Sequence, residues 1–442
     1  NDDYKLGGSS FGQVNNKIGD DTPTINDIDF FKKTFDLIQN LIKEDKILSG
    51  HDISSGGLIT SLLEMCFTDN NSGMDINLSS LNEEDIIKIL FSENSGIIFQ
   101  SKSKLNQFFD KEEISFHEIG KVVNSDCLNI KNYDNTYSFN ISKYRDIWFY
   151  TSYYFDKIQT KNKLSRKRFE NYKNQPLEFV FPKIFTGKIL KNNNKINAAI
   201  IREKGSNSER EMAYMMSLSG FNVKDVHMTD IISGRENLKD ISLLVAVGGF
   251  SNSDVLGSAK GWAGSFIYNK KAKQTLNDFF NRDDSMSLGV CNGCQLFIEL
   301  GLINNDHDLK PKMGYNDSGK FECIFTSIKI QDSPSIMMKG MEGSNLGVWA
   351  AHGEGKFIFP YDESKYTIPA KYSYNEYPAN PNGSNYNAAM LTSNDGKHLV
   401  MMPHLERSIY PHNWAYYPEN RKDEVSPWVI AFNNAYDWLK NK

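Results

Sequence analysis

The chain has 442 residues, 39% of them hydrophobic and 24% charged, with a formal net charge of -5. That balance describes a water-exposed globular protein with no electrostatic footing for nucleic acid or an anionic membrane surface, and the length implies two or three domains. No apolar run approaches the ~18 residues of a membrane span, and five irregularly spaced cysteines fit a reducing, cytoplasmic location.

The opening residues, NDDYKLGG, show neither a starting Met nor a signal-peptide pattern, as in a piece of a longer protein. Within 27–42, Ile28, Phe31, Phe35, Ile38 and Ile42 share one helix face. HDISSGGL at 51–58 leads into an apolar helix over 58–67, and 96–99 and 137–139 read as strands. An aromatic-rich segment at 148–155 and a basic stretch at 161–168 lie in a largely helical connector, 145–190. The basic stretch reads as a solvated face. The Asn-rich run KNNNKIN at 191–197 carries no functional signal.

From 196 the pattern changes. INAAII at 196–201 is a continuous apolar strand, as expected where helices cover both sheet faces. A helix over 208–219 ends at Gly220, a C-cap position. Strands at 221–223, 243–247 and 286–290 follow, and the alternation predicts a doubly wound parallel sheet. Chemistry in such sheets gathers beyond the carboxyl ends of the strands. GGFSNSDVLG at 248–257 and GVCNGCQ at 289–295 lie there.

GVCNGCQ joins a short apolar strand to an amphipathic helix, and small residues on either side of Cys291 allow the bend of a nucleophile elbow. A helix N-terminus also favours a thiolate. The competing readings are a buried structural cysteine, a redox dithiol formed by Cys291 and Cys294, and half of a zinc site. Zinc needs four ligands, and no second Cys-x-x-Cys or His-x-x-His pair exists. Gly248-Gly249 after a buried strand supplies backbone N–H groups which, with that of Asn292, suit an oxyanion hole; alone, the pair is a glycine-rich turn. In MMPHLER, His404 and Glu406 follow a strand two residues apart, so an extended chain places them on one side. That suits a carboxylate orienting an imidazole for thiol acyl transfer. His352, in AAHGEGKF, is a rival base, and spacing does not choose between them.

G-x-C-x-G-x-Q with a later P-H-x-E resembles the class I (triad) glutamine amidotransferases. HMTDIISGR at 227–235, GGFSNSDVLGSAKGWA at 248–263, AHGEGKF at 351–357, YPANPNGS at 377–384, MMPHLER and HDISSGGL together resemble the large, single-chain phosphoribosylformylglycinamidine synthase (FGAM synthase) family. The resemblance covers nearly the whole chain. It implies an α/β protein: an AIR-synthetase-like carboxyl-terminal half-domain (1–144), the connector (145–190), then a doubly wound class I glutaminase domain (191–442). By position it implies Cys291 as nucleophile, His404 as general base and acid, and Glu406 as its orienting partner, with Cys294 idle. Gln295 would seat glutamine, and the N–H groups of Phe250 or Gly249 and of Asn292 would hold the oxyanion. Asp52 would be a magnesium ligand and Ser54 a nucleotide contact of an ATP or ADP site. Many relatives carry Asp where this chain has Ser55. Without the resemblance, Asp52 reads as an acidic residue opening a helix. Formylglycinamide ribonucleotide and ATP would bind with an amino-terminal synthetase half that this chain lacks. A thiol peptidase on the same elbow, or a Cys-x-x-Cys redox or binding module, are the alternatives.

Overall fold

The computed structural model describes residues 3–68, 71–174, 177–190, 192 and 195–442. Position 191, where the glutaminase domain is expected to begin, and positions 193 and 194 of the Asn-rich run therefore lie outside the described residues. The chain forms two compact units, Asn1–Ser152 and Tyr153–Lys442.

In the first unit, the helix Gly57–Cys66 packs Leu58, Ile59, Leu62 and Cys66 against Met74, Ile76, Leu128 and Ile130 of a four-stranded sheet. The strands Ile47–Ile53 and Gly96–Ser101 pair antiparallel beside it in the chain. Asp27 caps the helix Ile28–Lys43 by accepting from the Phe30 N–H. The shared apolar face of this helix is mostly not the buried one. Of the face picked out by spacing, Ile38 alone is buried; Ile28, Phe31, Phe35 and Ile42 are exposed, and Leu37 and Leu41 join Ile38 in the core. This helix is apolar on two sides, so periodicity alone could not choose the inward one.

The connector contains two helices, Ile141–Gln159 and Leu164–Asn171. Its later part is not helical: Leu177, Phe179, Phe181 and Phe185 pack on the core of the second unit, and Val180 bridges Asn345.

The second unit is built on a six-stranded sheet. Its order is Met390–Thr392, His398–Met401, Met286–Val290, Leu243–Ala246, Ile196–Arg202 and Phe221–His227. All neighbours are parallel except the edge strand Met390–Thr392. Met286–Val290 is buried throughout because it is central and covered on both faces. An antiparallel sheet of Asn345–His352, Glu322–Ile330 and Ala370–Tyr372 is inserted before the last parallel strand; the alternating pattern did not announce it.

Three adjacent parallel strands end together. Gly289 pairs with both Ala246 and Val400, and Val290 pairs with Met401. The chain therefore delivers Gly248, Cys291 and His404 within a few residues of one sheet edge. The helix Asn292–Glu299 returns so closely under the elbow that a Cβ on Gly293 would lie 2.0 Å from the Ala246 carbonyl oxygen. A backbone oxygen in a central strand cannot yield. Gly293→Ala is expected to destabilise the protein by about 1–3 kcal/mol or more and lower the thermal midpoint. Gly264→Ala, inside the helix Lys260–Ile267 with only Tyr268 atoms near 3.9 Å, should raise it, since alanine exceeds glycine in a helix by up to ~1 kcal/mol. Thermal unfolding of the two variants side by side checks the opposite signs.

Candidate active site

Cys291 occupies the turn between the strand Met286–Val290 and the helix Asn292–Glu299 with φ 52° and ψ -108°. A non-glycine residue in this region stores strain, on the order of 1–3 kcal/mol. The surrounding structure holds it there. The Cys291 N–H donates to Met401 O at 2.8 Å, and the Gln295 N–H returns to Cys291 O at 3.0 Å. The thiol lines a cavity of about 240 Å³ and has the Ala351 carbonyl 3.7 Å away.

His404 lines the same cavity. Its backbone N–H donates to Trp349 O at 2.7 Å, which ties the segment after the last parallel strand to the antiparallel sheet. A Cβ on Gly248 would lie 2.8 Å from His404 Cε1 and 3.4 Å from Cys291 Cβ, so only glycine leaves room for both side chains. His404 Nδ1 is 2.6 Å from Glu406 Oε1, and both side chains are buried. The extended geometry expected for the pair is corrected. His404 is extended, but Glu406 sits in the 3₁₀ turn Leu405–Arg407, and it is the turn that swings the carboxylate back to the ring.

The electrostatics follow from burial against pairing. Burial alone would strip the proton from His404, but the Glu406 carboxylate and the Cys291 sulfur outweigh it and raise the pKa to about 10. Burial likewise opposes charge on Glu406, yet His404 holds its pKa below the ordinary range. Nδ1 is committed to Glu406, which leaves Nε2, buried and without a hydrogen bond of ordinary geometry among the described residues. The rival base His352 also lines the cavity, but burial and the neighbouring His404 depress its pKa to about 3. Among the described residues neither of its ring nitrogens has a hydrogen-bond partner, and no carboxylate orients it. Cys294 is fully buried, and burial raises its pKa well above the ordinary value, which disfavours a dithiol.

Among the N–H groups expected to receive an oxyanion, one is engaged elsewhere. The Phe250 N–H already donates to Gly205 O at 2.8 Å, so that amide is spent. Gly249 and Asn292 remain. Asn292 and Gln295 are bonded side chain to side chain at 2.8 Å, and Gln295 Nε2 donates to Glu354 O at 2.7 Å. The cavity also takes Asp254, Glu354 and the segment 315–321, none of which sequence reasoning selected. Glu354 stood inside AHGEGKF, two residues past the histidine that drew attention. Asp254 is held protonated more readily than usual by burial and by Glu354. The segment 315–321 has no motif and reaches the cavity only through tertiary folding.

Asp52 and Ser54 lie in the first unit. Asp52 is corrected from a helix opening to the strand Ile47–Ile53, with its side chain 75% exposed. His51 Nδ1 is 3.5 Å from its Oδ1 and His51 Nε2 is 3.0 Å from Glu64 Oε2. Magnesium asks for near-octahedral oxygen coordination, and no group of three or more His, Cys, Asp or Glu side chains fit for a metal occurs among the described residues. One exposed carboxylate does not make a magnesium site. Ser54 is exposed, its carbonyl accepting from the Gly57 N–H at 3.0 Å.

The raised pKa of His404 gives stability that is complete below its ordinary value of 6.5 and is lost as pH climbs through about 10. The lowered pKa of Glu406 gives stability present above 4.5 and lost as pH falls below it. The gap in thermal midpoint between the native protein and Glu406→Gln should therefore be widest near pH 5–6.5 and shrink steadily toward pH 10. A gap independent of pH would contradict the pairing.

Residues 195–439 match the CobB/CobQ-like glutamine amidotransferase domain family, and residues 4–131 match the carboxyl-terminal domain of AIR synthase related proteins. The chain is 39% identical over 468 residues to a probable phosphoribosylformylglycinamidine synthase, chloroplastic/mitochondrial, of Arabidopsis thaliana, covering 99% of this chain and 33% of that protein. It is 37% identical to the Dictyostelium discoideum phosphoribosylformylglycinamidine synthase (97% of this chain, 36% of that one) and 32% identical to the Homo sapiens protein of the same name (98% and 35%). The chain thus spans about a third of the length of these relatives. No helix among the described residues is long and apolar enough to cross a membrane. With its mostly parallel six-stranded sheet, and with a family match covering more than half its length, the chain belongs to the CobB/CobQ-like glutamine amidotransferases.

Proposed function

We propose that this chain is the glutamine-hydrolysing part of a phosphoribosylformylglycinamidine synthase and releases ammonia through a thioester on Cys291. The observation that carries the reading is the convergence, on one small cavity, of a strained elbow cysteine and a buried imidazole–carboxylate pair. The cavity volume, about 240 Å³, falls below the ~300–1,000 Å³ of drug-sized ligand sites. That suits one amino acid better than an extended peptide.

In the proposed scheme the Cys291 thiolate attacks the side-chain amide carbon of glutamine. A C–S bond forms, and the carbonyl electron pair moves to oxygen, which the N–H groups of Gly249 and Asn292 receive. One such donor is typically worth ~10²–10³ in kcat. Collapse breaks the C–N bond as His404 passes its proton to the nitrogen, and ammonia departs. Water then gives a proton to His404 and its oxygen to the acyl carbon; the C–S bond breaks, freeing glutamate and restoring the thiolate. Glu406 keeps the imidazole oriented and favours its cationic form. Gln295, tied to Asn292 and to the Glu354 carbonyl, shapes the seat for glutamine.

In a whole synthase the ammonia would convert formylglycinamide ribonucleotide into its amidine, with ATP, and magnesium in support, activating the amide oxygen elsewhere. The match of residues 4–131 to AIR synthase related proteins supports such a setting. Five cysteines, all free, are in keeping with a reducing compartment, which we take to be the cytoplasm.

Cys291→Ala and His404→Ala should each lower glutamine hydrolysis by about 10³-fold or more, whereas Cys294→Ala should stay within a few-fold of the native rate. Release of glutamate and ammonia measures this. Survival of Cys291→Ala with loss of Cys294→Ala would reverse the assignment. Supplied with ATP and formylglycinamide ribonucleotide, the chain should make no amidine at a full rate, and full-rate synthesis would refute its placement as one part of a longer enzyme.

A further inference from the structure

One wall of the Cys291 cavity is the segment 315–321, which contributes Tyr315, Gly319, Lys320 and Phe321. No step proposed above uses it. Its first half is tied to the turn after His352: the Asn316 side-chain amide donates to His352 O at 2.7 Å, and Lys356 Nζ to Asp317 Oδ1 at 2.7 Å. Its second half takes its place from the segment 156–168. The Lys161 N–H donates to Ser318 O at 2.8 Å, and the Asn162 side-chain amide donates to Asp317 O at 2.8 Å. Lys320 itself ends on Asp156, a carboxylate only 8% exposed.

Asp156 gathers more than this one cation. Its Oδ1 also accepts from Thr160 Oγ1 at 2.6 Å and from Arg168 at 3.2 Å, and Arg168 continues to Glu322 Oε2 at 2.5 Å. Burial opposes charge on Asp156, but Lys320, Thr160 and Arg168 together keep its pKa below the ordinary range. A second observation says why such a tether matters. A neighbouring cavity of about 520 Å³ is lined by Arg168, Lys320 and Phe321 among others. Lys320 and Phe321 thus border space on both sides. Space on both sides leaves Lys320 and Phe321 less packing than a core segment has, the contact of the Phe321 ring with Phe250 aside, so polar ties carry more of their positioning.

We propose that Asp156 is a positioning residue for the Cys291 cavity: through Lys320 it holds the 318–321 wall where glutamine must seat. This rests on the glutamine reading above. Asp156 touches neither the thiol nor the imidazole, so its influence reaches substrate placement and leaves the intrinsic reactivity of the sulfur untouched.

The test compares the native chain with Asp156→Asn, which keeps the side-chain shape and removes the charge facing Lys320. Labelling of Cys291 by 6-diazo-5-oxonorleucine, a glutamine-like electrophile, should slow about tenfold, the factor that accompanies loss of one charge-assisted hydrogen bond. Labelling by iodoacetamide, which needs no glutamine seat, should be unchanged. Hydrogen exchange of the 318–321 amides should speed up. Lys320→Gln should reproduce these effects, and Asp156→Asn combined with Lys320→Gln should be no worse than either alone. Unchanged diazoketone labelling would overturn the proposal, even with faster exchange, because the tether would then be structural only. An equal loss of iodoacetamide labelling would overturn it too, by placing the damage at the elbow. Absence of diazoketone labelling in the native chain would instead overturn the glutamine reading, on which the exchange measurement does not depend.

Discussion

The parallel pairing of Met286–Val290 with His398–Met401 is the constraint on which the site depends. The two strands lie more than a hundred residues apart in the chain, yet register Val290 against Met401. Beyond that point one chain turns at once into a helix and the other runs three residues further to an imidazole. The hydrogen bond from Cys291 N–H to Met401 O closes the junction. The strain in the Cys291 backbone persists because strand, helix and neighbouring strand all hold it from outside.

Around this junction the protein uses burial in two opposite ways. It withdraws His404 and Glu406 from water together, so that each charge answers the other and the imidazole stays protonated far above its ordinary pKa. It withdraws His352 and Cys294 without a countercharge, and both stay neutral. Four titratable groups within one small region are thereby sorted into a charged pair and two silent neighbours. Pairing makes that division, since burial is common to all four.

Reading the chain from its residues alone carries some features and not others. The elbow was legible because glycine on both sides of a cysteine, between an apolar strand and a helix, has few other physical uses. The helix Glu209–Leu218 and the central strands were legible because continuous apolar runs and a terminal glycine report local structure. His404 and Glu406 were legible as a pair, but for the wrong geometric reason, since the 3₁₀ turn leaves no mark in the spacing. The inward face of Ile28–Lys43 was misread because a helix with two apolar sides offers no single answer. The basic stretch 161–168 was read as a solvated face, whereas Arg168 is drawn into a half-buried network with Asp156 and Glu322.

What the order of residues settled by itself is local: where strands and helices fall, which cysteine stands on a bend, and which motifs accompany it. These depend on side chains a few positions apart, and chemistry acting over that range is written in the spacing. Only the tertiary structure decided which histidine of the cavity has a carboxylate behind it, which amide is already spent, and which segment walls the cavity. Those outcomes join segments from 156 to 406, and their physical cause is strand register and burial, neither of which any local stretch of sequence contains.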